Sequence, residues 1–315
     1  MPAIASQLET IRDLMRFAVS RFRQAGLYYG HGTDNAWDEA LVIVLHQLHL
    51  PHDIGDEVLD ARLLQDEKMA ILDAFRQRIE QRIPVAYLTR EAWFCGLSFY
   101  VDERVLIPRS PIAELIEARF RPWYQGDYPD RILDLCCGSG CIGIACAYAF
   151  PEAEVLLSDI SADALDVAWI NTERHQLQDT VSVCESDLFD NVAGLFDIIV
   201  CNPPYVDEQD FSSMPAEYRH EPPAALASGR HGLDHPLAIL RQAAEYLTED
   251  GILVLEVGNS GEFLEQAYPG IDFNWVQFER GGHGVLVISR LELENYADQL
   301  ALPPPGNETA GDFDV

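Results

Sequence analysis

The stretch from Arg131 to Phe150, RILDLCCGSGCIGIACAYAF, constrains this chain more than any other: an apolar run, a turn holding two glycines, then an apolar segment of helical length. Arg131 to Cys136 reads as a short buried strand, and a strand that feeds a glycine loop and then a helix opens a doubly wound α/β sheet. In such sheets ligands sit beyond the carboxyl ends of the strands. Gly138 and Gly140 let the backbone turn sharply and approach a ligand with no Cβ in the way, while Gly143 permits close packing of helix on strand. The spacing matches G-x-G-x-x-G, which by itself does not single out one ligand. Asp134 lies inside the strand, where a buried carboxylate needs donors, so it is expected to accept from a cofactor or from the glycine loop.

Further strand ends follow in series. Glu154 to Asp159 reads as the second strand, and Asp159 lies nineteen residues beyond Gly140, where an acid can take both hydroxyls of a ribose. Ala162 to His175 reads as a helix and Val181 to Cys184 as the third strand. In the loop after it, Asp187 suits an adenine amino group, with Leu188 and Phe189 as apolar contacts. Phe196 to Cys201 reads as the fourth strand and stops at Asn202-Pro203-Pro204-Tyr205. Proline lacks an N–H, fixes its own φ and pushes the preceding residue out of the helical region. The four residues therefore form either a plain strand-ending turn or a stiff edge whose carbonyls accept from an amide or amine. Asn202 is expected on the same sheet edge as Gly138, Asp159 and Asp187.

Before this sheet, apolar positions at three- and four-residue steps predict helices over Leu8–Phe22, Ala36–Leu48 and Glu67–Ile79. They define a helical substrate or partner domain over 1–82. Residues 83–107, rich in aromatic and β-branched side chains, read as a β-hairpin linker. A helix then starts near Pro111, and Phe99, Pro108, Arg109 and Glu114 are placed as a lid or pocket where two domains meet. After Tyr205 comes a long irregular stretch to Asp234, of the kind that is commonly functional or mobile, in which His220 and Glu221 read as loop residues. His235–Tyr246 reads as helix, Ile252–Val257 as the fifth strand, Glu262–Ala267 as helix, and Phe273–Phe278 with Val285–Ser289 as an antiparallel pair turned at Gly281-Gly282. The catalytic domain spans 108–290. Residues 291–315, with six acids and no Lys or Arg, read as a short helix fraying into a disordered tail.

Charge narrows the partners. The 315 residues hold 21 basic and 52 acidic side chains, net −31. Unassisted binding to duplex DNA needs basic contacts and is disfavoured, whereas a basic protein partner or a saline cytoplasm is compatible. Seven cysteines without a secreted-type framework point to a reduced, cytoplasmic protein, and their spacing fits no zinc site, so no metal is expected. No run is long enough to span a membrane and no export signal is evident.

The segments ILDLCCGSG, LLSDIS, SDLF and NPPY together resemble the class I methyltransferases that use S-adenosylmethionine, specifically the N5-glutamine branch, over about Ile83 to Arg290. Within it, the segment from Ile107 to Glu114, EYRHEP at Glu217–Pro222 and EVGNS at Glu256–Ser260 are most similar to enzymes acting on large-subunit ribosomal protein L-three. Release-factor enzymes more usually carry a proline and an acid where Ser110 and Pro111 stand. The resemblance implies a doubly wound seven-stranded mixed sheet, six strands parallel and one antiparallel, with a small N-terminal helical domain. It implies S-adenosylmethionine held by Asp134, Gly138, Ser139, Gly140, Asp159, Ile160, Asp187, Leu188 and Asn202, and catalysis by Asn202, Pro203, Pro204 and Tyr205. The expected substrate is a glutamine of protein L-three, free or in an assembling subunit. The alternatives are the Gly-Gly-Gln motif of release factors, a DNA adenine methyltransferase, and a ribosome-binding module without catalysis. A dehydrogenase would share the glycine loop but has no use for the Asn-Pro-Pro-Tyr edge.

Overall fold

In the computed structural model, which describes residues 2–303, the chain centres on one seven-stranded sheet. A separate hairpin precedes it, pairing β1 (Ala92–Phe94) with β2 (Leu97–Phe99). The sheet comprises β3 (Arg131–Leu135), β4 (Glu154–Asp159), β5 (Val181–Glu185), β6 (Phe196–Cys201), β7 (Leu247–Glu256), β8 (Asn274–Trp275) and β9 (Val285–Ser289). Its order is β5-β4-β3-β6-β7-β9-β8. Strand β9 runs antiparallel to both of its neighbours, so six strands share one direction and one opposes it.

The apolar runs of the central strands are explained by burial on both sides. Ile132, Ile198, Val200, Ile252 and Val254 face a core shared with the helix Cys141–Ala149. Their alternates Leu133, Leu135, Ile199, Cys201, Leu253 and Leu255 face the core beneath the helices Asp234–Gln242 and Arg290–Leu300. The helix after the glycine loop lies so close to the sheet that a Cβ on Gly143 would collide with Leu157 and lie 2.9 Å from Asp134 Cβ. Parallel register brings the carboxyl ends level: Leu135 pairs with Ser158 and Cys201, and Asp159 with Glu185. The loops after β3, β4, β5 and β6 therefore open on one edge.

The N-terminal helices run Ile11–Ala25, Ala36–Gln47 and Gln65–Gln81 around their own apolar core. The first starts three residues later than periodicity predicts because Thr10 and Asp13 form a capping box there. Pairing in the expected linker is confined to β1 and β2, and Val85–Thr89 is a helical turn in which Val85, Ala86 and Tyr87 are buried. Strand β7 begins at Leu247, ahead of the predicted start, through a register irregularity at Phe196 and Ile198 that accommodates the polar residues Thr248 to Asp250. The first strand of the terminal pair, expected over Phe273–Phe278, shrinks to β8, while the second is found as β9. The short helix expected at the start of 291–315 is Arg290–Leu300, with Leu293 and Leu300 buried and the Arg241 Nε–H donating to the Leu300 carbonyl (2.6 Å). The rest of the expected tail, from 304, lies outside the described residues. Among those described, no helix is long and apolar enough to cross a membrane, and the seven cysteines are free thiols.

Candidate active site

Two cavities meet at the carboxyl edge of the sheet. The first, about 410 Å³, is bounded by Cys136 to Ser139, by Asp159 and Ile160, by Asp187 and Leu188, and by Pro108 and Arg109. The second, about 290 Å³, is bounded by Pro203, Tyr205, Asp207, Tyr218 and Glu256. Asn202 and Arg109 line both. Asn202 is half-buried, and among the described residues its carboxamide has no hydrogen-bond partner. An unspent acceptor and two unspent donors thus stand where the cavities join.

Asp159, at the end of β4, is held by the loops it faces: Oδ2 accepts from the Gly138 N–H (2.9 Å) and Oδ1 from the Ser161 N–H (2.9 Å). Burial pushes its pKa up despite these donors, which favour the charged form. Beside it, Ile160 lines the first cavity and is 64% exposed. Ser139 is buried and contributes to the lining, and Asp187 is exposed at the rim.

Four residues expected at the site lie elsewhere. Asp134 is buried in β3 with Oδ2 accepting from the Gly143 N–H (2.7 Å), and desolvation drives its pKa to about 7. It braces the loop from inside the sheet and does not border the cavity. Gly140 turns with φ 76° against Leu157 and Ala168 and is likewise behind the lining. Phe99 is no lid: it is wholly buried, its ring 5.0 Å from that of His175. Glu114 lines neither cavity and accepts from the Glu279 (3.0 Å) and Arg280 (2.9 Å) N–H groups, bracing the loop before β9. In each case β-propensity or helix position was visible, but the side chain's neighbours were not.

Other residues emerge only in three dimensions. Glu221, inside the irregular stretch, accepts from the Ile107 N–H (2.9 Å), from Arg109 Nη1 (2.5 Å) and from Arg109 Nη2 (2.8 Å). His31 Nε2 from the N-terminal domain lies 3.4 Å from the same carboxylate. Burial raises the pKa of Glu221, but His31 and Arg109 outweigh it and hold the group at about 2. Tyr218 packs on both of these partners, 4.4 Å from the His31 ring and 5.3 Å from the Arg109 guanidinium. Glu217 accepts from Arg78 Nη1 (3.1 Å) and from the Tyr28 N–H (3.1 Å). The long connection is thus no loose loop. It wedges between the helical domain and the second cavity, with Glu217 and Glu221 each only 2% exposed. At the end of β7, Glu256 accepts from the Tyr205 hydroxyl (2.8 Å) and the Ser110 hydroxyl (2.5 Å). The signal for Glu256 was its place at the end of the fifth parallel strand. For Glu217 and Glu221 there was no local signal, because their partners are distant in sequence.

A sheet of this order, with a glycine loop after β3, an acid ending β4 and Asn-Pro-Pro-Tyr ending β6, defines a class I methyltransferase. The methyltransferase small domain family matches residues 125–229. The ribosomal protein uL3 glutamine methyltransferase of Francisella tularensis is 48% identical over 94% of this chain and 95% of its own length. That of Xanthomonas campestris is 51% identical over 92% and 94%. The chain belongs to the ribosomal protein uL3 glutamine methyltransferase family. Among solved structures, a methyltransferase from Pyrococcus furiosus is 18% identical with a TM-score of 0.45, covering 62% of this chain and 89% of its own.

Proposed function

We propose that this protein transfers a methyl group from S-adenosylmethionine to the side-chain amide nitrogen of a glutamine in ribosomal protein uL3, the large-subunit protein L-three. The observation that carries the reading is the unpartnered Asn202 carboxamide at the junction of the two cavities, in a chain whose relatives bear that activity in their names. The first cavity fits the donor. Nothing lies within 4 Å of where a Gly138 Cβ would stand, so the loop backbone is open to a ligand there. Ser139, Asp159, Ile160, Asp187 and Leu188 offer polar groups at the ends and apolar surface between, the usual make-up of a nucleoside pocket. When bound, S-adenosylmethionine would supply a methyl group on a positively charged sulfur that leaves as a neutral thioether, while the methylated amide nitrogen releases one of its two protons to solvent.

The chain's own task is to prepare the acceptor. A glutamine amide nitrogen has its lone pair delocalised into the carbonyl and is a poor nucleophile unless it is held in place. Asn202 Oδ1 and the Pro203 carbonyl accept the two amide hydrogens, which turns the nitrogen toward the first cavity and makes attack effectively unimolecular. Both acceptors also stabilise positive charge where it develops on that nitrogen. Pro203 and Pro204 fix their own φ and keep the edge stiff. Tyr205 forms a wall of the second cavity, into which the glutamine side chain reaches. The substrate is met free or in an assembling subunit, and the excess of 52 acidic over 21 basic residues favours a basic protein partner.

Incubating the purified protein with labelled S-adenosylmethionine and, separately, uL3, release factors and unmethylated DNA tests this. Label on the glutamine amide of uL3 is the expected result. Label on a release factor alone would overturn the substrate, and label on none would overturn the activity.

A further inference from the structure

Tyr205 is held at both ends, by groups to which the methyl-transfer chemistry above gives no task. Its hydroxyl donates to Glu256 Oε1 (2.8 Å), and its carbonyl accepts from Ser260 Oγ (2.7 Å). The second carboxylate oxygen, Glu256 Oε2, accepts from Ser110 Oγ (2.5 Å). Ser110 Oγ itself accepts from the Ile112 N–H (3.1 Å), so among the described residues its proton has only Glu256 to go to. Two hydroxyl donors on two oxygens favour the ionised, acceptor-only form of the carboxyl group, working against burial, which pushes its pKa up. That charge is buried, with Glu256 4% and Ser110 7% exposed. Behind the Tyr205 ring runs bare main chain: Gly258 has φ 49°, and a Cβ there would lie 2.5 Å from Tyr205 Cε2. Three separate segments therefore meet at the Glu256 carboxylate: the Pro108–Pro111 stretch through Ser110, the end of β6 through Tyr205, and the end of β7, which carries Glu256 itself.

The geometry points to Glu256 as the positioning residue of the acceptor cavity, acting through the Tyr205 hydroxyl. The second cavity also contains Asn202 and Pro203, whose neutral oxygens must stay free for the incoming amide. A tyrosine hydroxyl beside them is a competing donor. A carboxylate takes such a donor more strongly than a neutral carbonyl does. Glu256 thus keeps the hydroxyl committed, leaves the Asn-Pro acceptors vacant and fixes the ring as a wall. Ser110 ties that wall to the segment shared with the first cavity. This role rests on the proposed glutamine methylation.

The test is a double-mutant cycle of Glu256→Gln and Tyr205→Phe, with steady-state kinetics on uL3 and calorimetric binding of S-adenosylhomocysteine. Glu256→Gln is expected to lower kcat/KM for uL3 by about ten- to a hundredfold, the scale of a misplaced acceptor, with binding of S-adenosylhomocysteine unchanged within about twofold. In the Tyr205→Phe background the same change should cost no more than about twofold further, because the group it acts through is gone. Effects that multiply, a matching loss of S-adenosylhomocysteine binding, or wild-type activity in Glu256→Gln would each overturn the role. If Glu256→Gln loses its melting transition, Glu256→Asp, which keeps a carboxylate but draws it back from the Tyr205 hydroxyl, enters the same cycle with the same expectation. Wild-type protein that fails to methylate uL3 would overturn the activity, whereas active wild type with an indifferent Glu256→Gln would overturn this role alone.

Discussion

Replacing Asn202 by alanine separates folding from catalysis. In the structure the Asn202 carboxamide is half-buried and makes no hydrogen bond among the described residues, so its removal breaks nothing in the free protein. Alanine also tolerates the extended backbone that Pro203 imposes on its predecessor. The expected change in stability is within about 0.5 kcal/mol, the range of substitutions that touch no structural feature. Activity should respond quite differently. One of the two acceptors that orient the glutamine amide disappears, and loss of a single preorganised hydrogen-bonding group at a reacting centre costs about 3–4 kcal/mol, or roughly 10²–10³ in kcat. The assay is the initial rate of label transfer to uL3 at saturating donor, with thermal melting and S-adenosylhomocysteine binding as controls. Asn202→Asp keeps an acceptor at the same place and should retain more activity than Asn202→Ala. A kcat for Asn202→Ala within tenfold of wild type, or an aspartate variant slower than the alanine one, would refute the acceptor role.

Arg78 is wholly buried and donates to Glu39 (3.0 Å), Glu217 (3.1 Å) and the Tyr28 carbonyl (2.7 Å), so Arg78→Met should destabilise by about 3–5 kcal/mol by stranding buried carboxylates. Urea unfolding checks this, and a loss below 1 kcal/mol would count against the wedge between the domains. Because Glu221 is lowered from its ordinary 4.5 to about 2 by His31 and Arg109 acting against burial, the stability it contributes is complete above pH 4.5 and is lost as pH falls toward 2. Melting temperature should therefore drop more steeply over that window in wild type than in Glu221→Gln, and parallel curves would contradict the pairing. Gly143→Ala pushes a methyl group into Leu157 and to within 2.9 Å of Asp134 Cβ, which should cost about 1–3 kcal/mol and weaken S-adenosylhomocysteine binding by displacing the glycine loop. Unchanged melting and calorimetry would show that the helix can move away freely.

What the sequence by itself determined was the run of local features along the sheet: the glycine loop after β3, the acid ending β4, the polar loop after β5 and the Asn-Pro-Pro-Tyr stop after β6. These were legible because apolar periodicity marks a strand, and glycine and proline mark how it ends, within a few residues. The edge on which they meet followed from a general rule of parallel sheets. Only the tertiary structure decided which charges are paired and which aromatic residues are core. Glu217 and Glu221 looked like loop acids because their partners, Arg78 and Arg109, are more than a hundred residues away. Phe99 looked like a lid and Glu114 like a pocket acid because composition records that a side chain is aromatic or charged but not what packs on it. Asp134 was read as accepting from a cofactor or from the glycine loop, and its place in the strand aimed it at the Gly143 N–H just after that loop. A buried charge is stabilised by whichever donors folding brings within about 3 Å, and that proximity is set by the packing of separate elements.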